Sequence, residues 1–370
     1  MRDATLRDVA VLAGVSPRTV SNVVNGYAPV TDATRAKVES ALAQLDYRPN
    51  LLARNLANGR SGQIAVVVPY LDTPYFSELL QVIIAQVRAR GYNVLVDQSD
   101  GDRQHEAELI KRGRRAFLFD GMIISPLGLA QSDLGDHDPD LPLVILGERT
   151  SDGSFDHVGI DDVAASFDAV SHLLQLGRRR IAAIGDQPYV TGEAAQRRTQ
   201  GYRQAHAAAG VPVDESLIIQ TSRFNRLDGA QAMTALLERP DRPDAVFCYS
   251  DLVAIGAVHV LVQRGLRIPE DVAVIGYDDI EDSRFSNPTI STISPDRAAI
   301  ASLAVERLML RLSSQGPVPG AEIRASHYLV PRQSTLGAAA FTVAADGARE
   351  RTQLRPPDGL PAQASALDPA

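Results

Sequence analysis

The chain has 370 residues, 45% of them apolar and 22% charged, with a formal net charge of −8 and a single cysteine. That length suggests two or three compact units with real cores. The lone cysteine excludes an internal disulfide, and no run approaches the roughly 18 uncharged apolar residues of a membrane-spanning helix. Charge is unevenly spread: residues 1–60 hold eight Lys or Arg against five Asp or Glu, and the other 310 hold 29 against 40, a balance compatible with nucleic-acid contact by the basic head alone.

The start, Met1-Arg2-Asp3-Ala4, lacks the apolar run of a signal peptide, so a cytoplasmic protein with no membrane partner is expected. "LRDVAVLAGVSPRTVSNVVNG" (6–26) follows. Thr5 caps a first helix, with Asp8 three residues on as its box partner, and Gly14 ends it. Ser16 caps a second helix whose first position, Pro17, loses no hydrogen bond. Val9, Ala10, Val15, Val20 and Val23 supply contacts between the two. Arg18, Thr19, Ser21, Asn22 and Asn25 are left outside. A third helix is expected from Thr31 to Leu45, with Ala33, Val38, Leu42 and Leu45 available for burial. The pattern predicts a helix-turn-helix offering short polar side chains to a DNA major groove; a plain three-helix bundle is the alternative.

From Gln63 the rhythm changes. "QIAVVVPYL" reads as a strand covered on both faces. Next come a helix over 75–90, "YNVLVDQS", a helix near 103–116, "GMIISPL" and "LPLVILGE" (141–148). After "HVGID" a helix at 163–176, "RIAAIGD" (180–186), a helix near 194–209 and "LIIQTS" (217–222) continue the alternation. A helix from about 227, "AVFCYSD" (245–251), a helix to Arg264 and "VAVIGYDD" (272–279) complete it. Repeated strand–helix units predict parallel sheets flanked by helices, and two sheets fit this length better than one. Crossings are expected near 160–163 and around 288–295. A helix at about 297–311 and one late strand near 324–330 follow; beyond Gly337 periodicity is lost, which predicts a disordered tail.

"LRDVAVLAGVSPRTVSNVVNG", followed by "VTDATRAKVESALAQLDYRPNLLARNLANGRSG", resembles the headpiece of the LacI/GalR family of bacterial transcription regulators. The alternating body is similar to that family's periplasmic-binding-protein-like core, so the resemblance covers about residues 5–335. It implies an all-α helix-turn-helix headpiece with a hinge helix, followed by a two-lobed α/β core. The corresponding ranges are 1–49 for the DNA-binding domain, 50–61 for the hinge, 62–160 and 161–290 for the lobes, 291–336 for segments completing both, and 337–370 for the tail.

The resemblance also implies roles. Pro17, Arg18, Ser21 and Asn22 would read bases, Ser16, Thr19 and Asn25 would lie nearer phosphates, and Thr5 and Leu6 would complete the DNA-facing set. Many family members carry Arg where this chain has Asn22. Asn50 would cap the hinge helix, Ala53 and Arg54 would face DNA, and Leu56 would wedge into a minor-groove step. In the body, Tyr75 and Phe76 would present aromatic surface to an effector. Tyr70 replaces the family's Asp, and Asp72 restores a carboxylate nearby. Arg198 would clamp hydroxyls or a carboxylate, paired with Asp278 across an aromatic face. Ser250 stands where sugar-binding members have Asn, and Gly147 where some have an acidic residue.

The expected protein is thus a homodimeric regulator of a near-palindromic double-stranded operator. It would repress genes of carbohydrate uptake or catabolism under control of a small sugar. A nucleobase effector, no effector, or a sugar-binding protein without a DNA role are the alternatives. The family's dimer surface would fall on 75–90, 251–264 and 272–290. No nucleotide-binding glycine motif or nucleophile elbow is present, and the seven histidines show no metal spacing, so no enzyme, cofactor or metal is expected.

Overall fold

In the computed structural model, the described residues are 4–25, 29–47, 61–112, 119–129, 131–135, 138, 140–147, 155–187 and 193–337, with the side chains of 25, 112, 131 and 132 excepted. The chain divides into a head, to Gly62, and a body from Gln63. Each is built from its own core.

In the head, the Thr5 hydroxyl accepts from the Asp8 N–H while the Asp8 carboxylate accepts the Thr5 N–H at 2.8 Å, a reciprocal cap that starts α1 (Leu6–Ala13). Gly14 at φ 66° turns the chain left-handed, and the Val15 N–H closes on the Ala10 carbonyl at 3.0 Å. Ser16 Oγ then accepts the Thr19 N–H at 3.1 Å and opens α2 (Pro17–Asn25). Thr31 caps α3 (Asp32–Gln44). Val9, Ala10, Val20, Val23, Val38 and Ala41 are the buried core, with Val15, Leu42 and Leu45 packed against it. Ala33, expected inside, is exposed. The three helices cross so that the face around Val38 and Ala41 meets α1 and α2, and the first turn of α3 stays in solvent.

The body's first lobe contains β1 (Gln63–Val68), α4 (Pro74–Ala89), β2 (Asn93–Gln98), α5 (Arg103–Arg112), β3 (Gly121–Ile124), α6 (Gln131–Leu134), β4 (Leu143–Leu146) and β5 (Asp156–Gly159). The second contains α7 (Asp162–Gln175), β6 (Ile181–Asp186), α8 (Glu193–Ala208), β7 (Ile218–Gln220), α9 (Arg226–Leu237), β8 (Ala245–Cys248), α10 (Asp251–Gln263), β9 (Ala273–Tyr277), α11 (Glu281–Phe285) and β10 (Ser291–Pro295). After these come α12 (Arg297–Ser313), β11 (Glu322–Arg324), β12 (His327–Val330) and α13 (Gln333–Leu336).

The first sheet has order β11-β5-β4-β3-β1-β2 and is parallel throughout; the second has order β12-β10-β9-β8-β6-β7, with β12 alone antiparallel. Central strands such as β3, β4, β8 and β9 are buried along their whole length because helices cover both faces.

The chain passes between lobes three times, after β5, after β10 and between β11 and β12. The single late strand expected at 324–330 is therefore two short ones. The Ala325 N–H bonds to Gly159 in the first lobe, and Ser326 accepts from Asp296 at the end of the second lobe's β10. The switch takes two residues of extended chain, which leaves no trace in hydrophobic alternation.

Candidate functional site

On α2, positions 17, 18, 21 and 22 share one side while Val20 and Val23 turn inward. Ser16, Pro17 and Arg18 are exposed, and Thr19, Ser21 and Asn22 are half-buried. The Ser16 and Thr19 hydroxyls lie 2.9 Å apart, so the cap also fixes Thr19. Thr5 donates its hydroxyl to Asp8 at 2.6 Å, and Leu6 packs partly against the head core. The result is a small rigid face with an arginine and short polar groups at a helix start, the geometry that presents donors to base edges or phosphates. The side chain of Asn25 and the hinge positions Asn50, Ala53, Arg54 and Leu56 lie outside the described residues.

The second constellation lies in the body, where strand ends of both lobes converge. A cavity of about 320 Å³ lies between them. Tyr70 and Asp72 reach it from the loop after β1, Tyr75 and Phe76 from the start of α4, and Gly147 from the end of β4. Arg198 comes from α8, Ser250 from the turn after β8 and Asp278 from the end of β9. All eight sequence-predicted effector residues thus line one cavity.

Aromatic and apolar surface dominates. The Tyr75 and Phe76 rings meet edge to face, centroids 5.3 Å apart, with Leu127, Leu146 and Ile160 adding to the wall. The Leu127 segment is held by a fully buried Glu106 carboxylate, which accepts from the backbone N–H of Leu127, Gly128 and Leu129 at 2.8–3.1 Å and from Ser99. Gly147 has φ 112°, and a Cβ on facing Gly159 would come 2.1 Å from the Gly147 carbonyl oxygen. The backbone here has no room for a side chain at 159 and disfavours one at 147. An acidic side chain at position 147 would be strained.

Arg198 and Asp278 both line the cavity, and among the described residues no hydrogen bond or ion pair joins the two directly. Arg198 donates from Nε to Asp162 Oδ1 at 3.0 Å and from Nη1 to the Tyr249 carbonyl. Its guanidinium lies 3.8 Å over the Tyr277 ring, and the Tyr277 hydroxyl donates to the same Asp162 oxygen at 2.7 Å. Asp162 is the first residue of α7, just past the first crossing between lobes. The result is a buried ion pair with ring stacking and with hydrogen bonds on one carboxylate oxygen, while Asp162 Oδ2 is buried without a hydrogen-bond partner among the described residues. Neighbouring Arg197 instead pairs with Glu193 one turn back, at 3.2 Å.

Ser250 caps α10 by accepting the Val253 N–H at 3.2 Å, which commits part of its hydroxyl to structure. Asp278 has φ 109°, and its carbonyl accepts from Arg297. Asp279 is gripped by Arg332, by Arg284 at 3.0 Å and by the Ser294 hydroxyl at 3.0 Å. Burial pushes the Asp279 carboxyl up, but the two guanidinium groups outweigh it and hold it below the usual range. Asp279 thus fixes the turn that carries Asp278 into the cavity.

Sequence reading missed four contributors: Asp162 and Tyr277, which hold Arg198, and Arg223 and Phe224, which follow β7 into the cavity. Applied once more, the strand-end rule would have found the last two. Cys248 is fully buried, and burial raises its thiol far from reactivity. Among the described residues no cluster of His, Cys, Asp or Glu could hold a metal, and no helix is long and apolar enough to cross a membrane.

Residues 5–50 match the sequence model of bacterial regulatory proteins of the lacI family, and residues 170–335 match that of the periplasmic binding protein-like domain. The ribose operon repressor of Haemophilus influenzae is 32% identical over 84% of this chain and 92% of its own length. A crystal structure of the lac repressor dimer bound to operator and the anti-inducer ONPF superposes with a TM-score of 0.79 at 27% identity, covering 90% of this chain and 99% of that one. The CelR transcriptional regulator in complex with cellobiose gives 0.63 at 30% identity, over 90% and 99%.

Proposed function

Since this chain belongs to the lacI family of bacterial regulatory proteins, a family of DNA-binding regulators rather than enzymes, we propose that it is a homodimeric repressor whose grip on a near-palindromic operator is set by a sugar in the interlobe cleft. The observation that carries this reading is the convergence of eight residues from both lobes on one cavity of about 320 Å³. Its volume falls within the range of small-molecule sites, and its aromatic walls with a few polar groups suit the apolar face and hydroxyl rim of a sugar. The similar proteins point the same way, one named for the ribose operon and one bound to cellobiose.

In this mechanism the α2 face supplies base readout through Arg18 and Asn22, with Ser16 and Thr19 beside the backbone phosphates. The hinge over 50–61 couples head to body. The hinge helix that the family resemblance implies there would be too short to hold in water alone, so operator and partner would stabilise it, and a change in the lobes would remove that support. Sugar binding between the lobes alters their closure and thereby operator affinity.

Isothermal titration of the full chain with ribose, glucose, cellobiose, cytosine and hypoxanthine tests the reading, each hit then being added to an operator-binding assay. A sugar that both binds and weakens operator affinity supports it. Heat from the nucleobase compounds alone, or from none, contradicts it.

A further inference from the structure

Tyr70 and Arg223 come from opposite lobes, yet the Arg223 guanidinium carbon lies 3.9 Å from the Tyr70 ring centroid. Both residues line the cavity. The two halves of this contact are held differently. The Tyr70 ring is fixed from behind, its hydroxyl donating to the Asp100 carbonyl at 3.3 Å. The Arg223 backbone is anchored as well: its N–H donates to Asp228 Oδ2 at 2.7 Å, and the Ser222 hydroxyl donates to the same carboxylate at 3.1 Å. Among the described residues, however, the exposed Arg223 guanidinium makes no hydrogen bond or ion pair. Stacking on Tyr70 is its whole engagement.

Among the described residues, the other arginines that line the cavity are committed elsewhere. Arg198 is held by Asp162 and the Tyr249 carbonyl, and Arg226 faces Asp282 at 3.7 Å. A fixed aromatic face on one lobe and an otherwise uncommitted guanidinium on the other form a contact that closes by stacking and opens without leaving a buried charge behind. We propose that Tyr70 and Arg223 form a gate across the mouth of the cleft, a closure contact between lobes that an effector must open to enter and that re-forms over it. Tyr70, where the family resemblance has Asp, supplies the ring that makes such a gate. The inference builds on the reading of the cleft as an effector site, but its test contains no ligand and stands apart from the titration above.

The chain has no tryptophan, so Tyr70→Trp places the sole indole at the gate, where it keeps the face that Arg223 covers. Acrylamide, being uncharged, reports shielding of that indole irrespective of local charge. In the full chain, Tyr70→Trp with Arg223→Ala should be quenched about twofold more strongly than Tyr70→Trp alone, with Arg223→Lys closer to Ala because a planar group is needed for stacking. Equal quenching in the first two overturns the gate. Amide exchange needs no tryptophan: in Arg223→Ala against the unmodified chain, exchange should quicken at 70–72 and 98–101 in the first lobe as well as at 221–226. Faster exchange confined to 221–226 also overturns it.

Discussion

Asp162→Ala would take away the carboxylate that faces the buried Arg198 guanidinium, the two side chains being 1% and 6% exposed. Losing one partner of such a pair costs about 3–5 kcal/mol, far more than an exposed pair contributes. Asp162→Ala should lower the urea unfolding free energy of the full chain by that order, and a loss below about 1 kcal/mol would show that Arg198 finds water instead. Asp251 gives a pH signature. Fully buried at the first position of α10, its carboxyl is pushed up by burial to about 7, against hydrogen bonds from the Thr292 hydroxyl at 2.7 Å and the Ile280 N–H at 3.0 Å that pull it down. The folded state keeps this proton to near pH 7 while the unfolded chain releases it near 4, so the folded state binds more protons in between. The contribution of Asp251 to stability is greatest below that window, falls as pH rises through it and is level above. Unfolding midpoints from pH 4 to 8 should decline more steeply in the native chain than in Asp251→Asn; parallel curves would contradict the assignment. The pairing of Arg198 with Asp162 was not legible in sequence. Several carboxylates sit at strand ends and lobe crossings, and only the three-dimensional meeting of α7 with α8 selects one.

The helix-turn-helix was legible because its signals are local: a hydroxyl, a glycine and a proline at fixed offsets dictate caps and a turn. The Thr5–Asp8 cap, the Gly14 turn and the Ser16 cap are all present. Losing the Ser16 hydroxyl leaves an N–H at the start of α2 without its acceptor, a change of about 1 kcal/mol. Ser16→Ala should therefore speed amide exchange at the α2 start severalfold while Ser16→Asp restores protection; unchanged exchange in Ser16→Ala would mean water caps the helix equally well. Strand–helix alternation in the body was legible for the same reason, since central parallel strands are unbroken apolar runs. The late strands were not. β11 and β12 have no fully buried side chain, and the residues between them are hydrogen-bonded to Gly159 in one lobe and Asp296 in the other, partners more than 20 positions away. The gate has the same character: Tyr70 and Arg223 lie 153 positions apart, and nothing local to either announces the other.

For the whole molecule, the family and its non-enzymatic role followed from the headpiece motif joined to an alternating body, and both are borne out by the similarity to lacI-family proteins across the head and core. Effector chemistry is harder to read, because a cavity lined by one or two residues from each of several elements changes specificity without changing the pattern that makes the fold. Selection of duplexes from a random pool by the full-length protein at low salt tests most directly whether the head of this chain reads DNA as a symmetric pair. Enrichment of two short half-sites related by a two-fold axis is the predicted result; a pool that stays random, or converges on one asymmetric site bound by a single copy, would contradict it.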